Sequence, residues 1–139
     1  MNFREILTQL YFILVCADGN VNDKEVSYGR KMVSIEGIDE PYFLSQIKLL
    51  EIKNQGVQLP DAINQLKKLT RDEQIRCVAW LCIIANADGF MDKAEWQMIY
   101  KIYHKELQLP LDEIMKVQKT ISLLVYKKAG SHTPGMVQS

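Results

Sequence analysis

The chain has 139 residues, 47% of them hydrophobic and 24% charged, which suits one soluble globular domain and excludes a disordered, collagen-like or fibrous chain. Seventeen basic residues balance seventeen acidic ones, and division after Thr70 leaves 8 basic against 9 acidic and then 9 against 8. Neither half is therefore a basic face built for phosphates, and nucleic-acid binding is not expected.

In chain order, Ile6, Leu7, Leu10, Leu14 and Ala17 recur at helical spacing, and Gly19 follows where a helix commonly ends in a left-handed residue. Asn22 with Glu25 three residues on forms a capping-box-like start for a second helix, which runs to about Glu36 and stops at Gly37. Pro41 suits the first turn of a third helix ending before Gly56, and Pro60 opens a short fourth through Leu69. Thr70 with Glu73 caps a fifth helix reaching about Ala87. Asp92 with Glu95 starts a sixth, to about Leu107, and Pro110 opens a seventh that fades near Lys127. No stretch alternates as a strand would. The fold expected is all-α, with about seven helices.

The N-terminus has some features of a signal peptide, with Arg4 before the apolar run Leu10–Ala17 and Ile13-Leu14-Val15-Cys16 near a lipoprotein cleavage box. Glu5, Thr8 and Gln9 interrupt the approach, and Val15 is bulky where a small residue is wanted. The run is also far short of the ~20 residues that span a bilayer. Cys16, Cys77 and Cys82 are odd in number, sit in apolar helical stretches and show no CxxC spacing. A reducing, cytoplasmic compartment is expected rather than a disulfide scaffold.

The strongest argument against a targeting segment is that its pattern returns in mid-chain. Ala17-Asp18-Gly19-Asn20-Val21-Asn22-Asp23-Lys24-Glu25 matches Ala87-Asp88-Gly89-Phe90-Met91-Asp92-Lys93-Ala94-Glu95 at a shift of 70. Ile13 with Ile83 and Lys31 with Lys101 extend the match, and Pro41 pairs with Pro110 after one deletion. Two copies imply a duplicated helical unit rather than a solenoid. The domain plan is two pseudo-symmetric three-helix units, about 2–56 and 71–127, joined by a short extra helix within one domain, 1–128, and followed by a flexible tail, 129–139.

Each repeated loop places an aspartate, Asp18 or Asp88, near a helix C-terminus, where the negative end of the macrodipole disfavours it by about 0.3–1 kcal/mol. Free carbonyls gather at the same place. A cation would offset both, so the aspartates carry more functional information than Glu25 and Glu95, which stand in first turns where acids are favoured anyway. Gly19, Val21 and Glu25, like Gly89, Met91 and Glu95, fit the second half of an EF-hand loop. Its first and third positions would fall on Leu14 and Cys16, or Ile84 and Asn86, and neither Leu14 nor Ile84 can ligate a hard cation. A standard EF-hand is excluded. Two readings stay open. In one, Asp18, Glu25, Asp88 and Glu95 with loop carbonyls and water hold Ca²⁺ or Mg²⁺ weakly. In the other, the aspartate bonds its own loop amides, the glycine supplies positive φ, and Asn22 or Asp92 caps.

The doubled Ala-Asp-Gly-x-x-x-x-x-Glu motif, each copy closing one apolar helix and opening another, resembles the tellurite-resistance TerB-like family, whose helical domain also occurs at the N-terminus of DjlA-type co-chaperones. The resemblance covers about residues 2–127. It implies a seven-helix fold with internal pseudo-symmetry and a non-enzymatic role in tellurite or stress response. It also implies acidic residues suspected of metal binding, and membrane-embedded partners. The family's acidic residues fall on Asp18, Glu25, Asp88 and Glu95. Many relatives carry a further acid just after the loop glycine, where this chain has Asn20 and Phe90. The partner expected is a protein, membrane-associated in the family, with no direct membrane insertion by this chain. Its location is then the cytoplasm, or the membrane's inner face reached through that partner. A homodimer is compatible with the sequence, and so is a metal-free scaffold or co-chaperone-type interaction domain.

His104 has no cysteine or second histidine at ligand spacing, so a solvated or capping role is expected, and His132 has no partner. Core packing is the first reading of Trp80, Trp96, Tyr100 and Tyr103, with an aromatic binding face as the alternative. Gly29 inside a helix costs about 1 kcal/mol against alanine, so close approach of another helix is expected there, although its counterpart is Ile99. The chain has no GxSxG, HExxH, Walker A or GxGxxG motif, and an exposed carboxylate pair offers little to catalysis.

Overall fold

Apolar residues recurring every three or four positions fold as helices throughout. The computed structural model describes residues 2–17, 23–51, 55–87, 89 and 91–130. Among these it contains α1 (Phe3–Val15), α2 (Asp23–Ile35), α3 (Glu40–Glu51), α4 (Gln55–Leu66), α5 (Arg71–Ala85), α6 (Lys93–Tyr100) and α7 (Leu111–Gly130), and no strand. A π-helical segment, Lys101–Glu106, continues α6 without a break. The all-α plan of two three-helix units and a connecting helix is the architecture observed. Of the expected tail, Ala129 and Gly130 end α7, and 131–139 lie outside the described residues.

Thr70 and Glu73 make the expected reciprocal cap of α5, and Asn2 with Glu5 makes the same device on α1. Each satisfies two amides that a helix N-terminus otherwise leaves open. The fourth helix departs from expectation. It begins at Gln55 rather than Pro60, so Pro60 and Gly56 lie inside it. Pro60 is the sixth residue of α4 and lies in its second turn, where it has no amide to donate to the Gly56 carbonyl four residues back. At its other end, the Gln74 side-chain amide donates to the Leu66 and Leu69 carbonyls at 3.1 and 3.4 Å, capping the helix at Leu66 from α5.

The core is centred on the two equivalent helices α1 and α5. Residues 6–12 of α1 and 77–85 of α5 are buried all round, the signature of helices enclosed by others. Of the two polar side chains in that stretch of α1, Thr8 Oγ1 donates to the Arg4 carbonyl at 2.9 Å, and Gln9 Nε2 donates across to the Gln58 carbonyl at 3.4 Å while its buried Oε1 accepts no hydrogen bond among the described residues. α1 packs against α3, α4 and α5, while α5 packs against α7. Ile75 shares a groove with Val117 and Ile83 another with Val125, so α5 and α7 run parallel. The second helices reach across, α2 lying on α5 of the other copy besides meeting Tyr11 of α1, and α6 touching α1 besides packing on its own α5. The duplicated trios are thus interlocked.

The expected single deletion between Pro41 and Pro110 is a net figure. The second copy gains one residue in its π-helical turn, where the Leu107 amide reaches back to Ile102 at 3.0 Å. The left-handed residue that ends the helix is consequently Gly37 (φ 69°) in one copy and Gln108 (φ 52°) in the other, 71 positions apart. Two fewer residues then separate that point from the proline. Ile38 and Leu109 follow the left-handed residues, and both are buried.

Candidate functional site

The two repeated bends leave their first helices in the same way. Cys16 (φ −97°, ψ 0°) and Asn86 (φ −97°, ψ 11°) occupy equivalent end positions. The amides of Cys16 and Ala17 return to Phe12 and Leu14 at 3.2 and 3.0 Å, and those of Asn86 and Ala87 to Cys82 and Ile84 at 3.1 Å each. Gly89 has φ 102°, as its role in the turn requires, and its amide donates to the Asn86 carbonyl at 3.0 Å. The following helices start at Asp23 and Lys93, again 70 apart. Asp18, Gly19, Asn20 and Asn22 of the first bend, and Asp88 and Phe90 of the second, lie outside the described residues.

Glu25 and Glu95 are each the third residue of a second helix, and each is turned inward, 3% and 2% exposed. They are the only buried carboxylates among the described residues. This corrects the view of them as exposed, uninformative first-turn acids. Taking a carboxylate out of water costs several kcal/mol unless opposite charge or donors replace the solvent. The helix N-terminus supplies part of that replacement. Asp92 caps α6, its Oδ2 accepting the Ala94 and Glu95 amides at 2.8 and 3.4 Å. In the first copy, Tyr11 Oη donates to the Glu25 carbonyl oxygen at 3.3 Å. Burial, and next the negative charge of Glu25, push the Tyr11 hydroxyl up to about 12. Glu25 and Glu95 stand on different helices, and among the described residues no group of three or more His, Cys, Asp and Glu side chains is placed to hold a metal.

Gly29 admits the Tyr11 ring of α1, so close approach is indeed its reason. A Cβ there would fall 2.5 Å from Tyr11 Cζ. The corresponding positions of the second copy, Leu81 and Ile99, are both fully buried. Cys77 and Cys82 are core residues, Cys16 is half-buried, and none of the three forms a disulfide. Trp80 and Tyr103 pack in the core as expected. Trp96, by contrast, is 41% exposed and leans on Tyr100 and Tyr103, with centroids at 5.9 and 6.3 Å. His104 is exposed and stacks on Tyr100.

One polar cluster was not anticipated. Glu36 Oε2 accepts from Arg76 Nε at 2.6 Å and from the buried indole Nε1 of Trp80 at 2.5 Å, while Arg4 Nε donates to the Glu36 carbonyl at 2.8 Å. The signal was present: an acid at a helix C-terminus opposes the dipole, and a buried indole needs an acceptor. The acid near the matching end of the second copy, Glu106, pairs with Lys67 at 3.1 Å on the surface. No helix among the described residues is long and apolar enough to cross a membrane.

A family model described as tellurite resistance protein TerB matches residues 4–119. No curated protein and no solved structure gives a significant match.

Proposed function

The chain belongs to the TerB family, and from that premise we propose that it is a non-enzymatic helical binding module of tellurite or stress response, coupling two acidic bends to a protein partner. The observation that carries this reading is the paired burial of Glu25 and Glu95 at equivalent positions directly behind the two Asp-Gly bends. A carboxylate buried twice at the same place marks a function of the bend rather than an accident of one helix. The donors available are hard oxygens, which suits Ca²⁺ or Mg²⁺ and not a soft metal. Asp18 with Glu25, and Asp88 with Glu95, would hold the ion together with loop carbonyls. The carbonyl ends of α1 and α5 add their negative dipoles to the same spots.

Calorimetric titration with Ca²⁺, Mg²⁺, Mn²⁺ and Zn²⁺ tests the reading. Binding heat is expected for the wild type with the hard cations. It should fall in Asp18→Asn/Asp88→Asn and in Glu25→Gln/Glu95→Gln. Saturation at a hundredfold over Kd should also raise stability by about 2.7 kcal/mol. Heat that survives both pairs of substitutions removes the bends from the account.

A metal-free scaffold or co-chaperone-type interaction domain is the second reading. It is favoured by the cap at Asp92, which already takes two amides without an ion. It predicts no heat with any of the four cations and capture of a partner that is indifferent to chelator.

A further inference from the structure

α7 has two apolar faces. Ile114, Ile121 and Val125 are buried, as its packing on α5 requires. On the other side, at 100° per residue, Leu111, Asp112, Met115, Lys119, Ser122, Leu123 and Tyr126 fall within one stripe, with Asp112 at its N-terminal end and Lys116 and Lys127 along its margin. Met115, Leu123 and Tyr126 are 53%, 61% and 73% exposed. Scattered exposed leucines mean nothing, but four large apolar side chains on one face of a helix whose core duty is met elsewhere do. Charge singles out the same region. Residues 114–139 contain four lysines and no acid, so all seventeen acids of this neutral chain lie in 1–113. Beside the stripe, Lys31 with the hydroxyl-bearing Tyr28, Ser122 and Tyr126 lines a groove between α2 and α7.

We propose that this outer face of α7 is a peripheral docking surface for an anionic lipid bilayer. Leu111, Met115, Leu123 and Tyr126 enter the headgroup layer, and Lys31, Lys116, Lys119 and Lys127 meet lipid phosphates. The distribution of charge selects lipid over protein. Lys119 stands in the middle of the apolar stripe, where protein interfaces are depleted of lysine. At an anionic surface, a lysine with its stem laid along apolar neighbours adds attraction instead. A second copy of the chain fits poorly, because a two-fold contact would oppose these lysines to themselves. The helix lies on the membrane and does not cross it, as an amphipathic interfacial helix does.

Sedimentation of the full chain with vesicles tests this, using phosphatidylcholine alone and an equal mixture with phosphatidylglycerol. Binding is expected to the mixed vesicles only, with release at high salt. Lys119→Gln/Lys127→Gln should weaken it about 30-fold, from the usual contribution of each lysine near an anionic surface. Leu123→Ser/Tyr126→Ser, which leaves charge untouched, should weaken it as well. All four positions are exposed, so circular dichroism of the variants should match the wild type. Failure of the wild type to bind, equal binding to neutral vesicles, or full binding by both variants overturns the proposal. So does a concentration-dependent dimer that the lysine pair abolishes while vesicles leave the wild type in solution.

Discussion

The Tyr11 ring fills the space that Gly29 leaves, whereas the positions seventy residues on carry two aliphatic side chains of similar size, Leu81 and Ile99, both buried. The pairs are exchangeable only together. Tyr11→Leu alone leaves a gap and strands a carbonyl contact, and Gly29→Ile alone collides with the ring, at about 1–3 kcal/mol for overpacking. The double variant reproduces the second copy, so a double-mutant cycle by urea denaturation should show a favourable coupling of at least about 1 kcal/mol. Strict additivity would refute the exchange. Gly29 was legible as a close approach because glycine inside an apolar helix has few other reasons to be there. The inward turn of Glu25 and Glu95 was not legible, because a glutamate at the third helical position satisfies the capping pattern whichever way its side chain leaves the helix.

At the scale of the elements, caps and glycine stops located most helices from sequence because each is a local hydrogen-bond device. The fourth helix departs from the sequence reading because proline favours a first turn, whereas Pro60 stands in the second turn of α4. The π-helical turn left only a one-residue offset that the shorter linker masked. Glu36 shows how an end is secured when the local code does not provide for it. The end of α2 is fastened by Arg76 and Trp80 from α5, and the matching end after the π turn by Lys67 at the surface. Glu36→Ala should therefore cost about 2–3 kcal/mol and shift Trp80 fluorescence, while Glu106→Ala should cost less than about 1 kcal/mol. Equal losses in denaturant melts would contradict this account of the two ends.

At the scale of the molecule, the duplication revealed the plan but not the crossover, because a sequence repeat says which segments are alike and not which of them touch. The crossover places Cys77 and Cys82 in the shared core. Burial pushes the Cys82 thiol from 9.0 up to about 11, and Cys77 is raised further by burial with Glu36 nearby. The folded chain thus keeps protons that the unfolded chain releases. Stability is complete below about pH 9 and falls as pH rises toward the folded values, by about 1.4 kcal/mol per pH unit for each such group. Urea midpoints should be level from pH 7 to 8.5 and decline by pH 10. Cys82→Ala should start lower and decline less steeply, whereas a flat wild-type profile to pH 10.5 would show these thiols to be accessible when folded.

The contact of each second helix with the other copy's first helix also bears on descent. A forerunner with a single trio would have had only its own first helix to meet its second, and would have lacked the further contact that α2 makes with α5. Two molecules clasped about a dyad would have completed each other. Joining their genes end to end, with α4 bridging the gap, would convert that handshake between strangers into a knot within one body. Each half was then free to specialise, which is how a tyrosine on one side came to answer an isoleucine on the other.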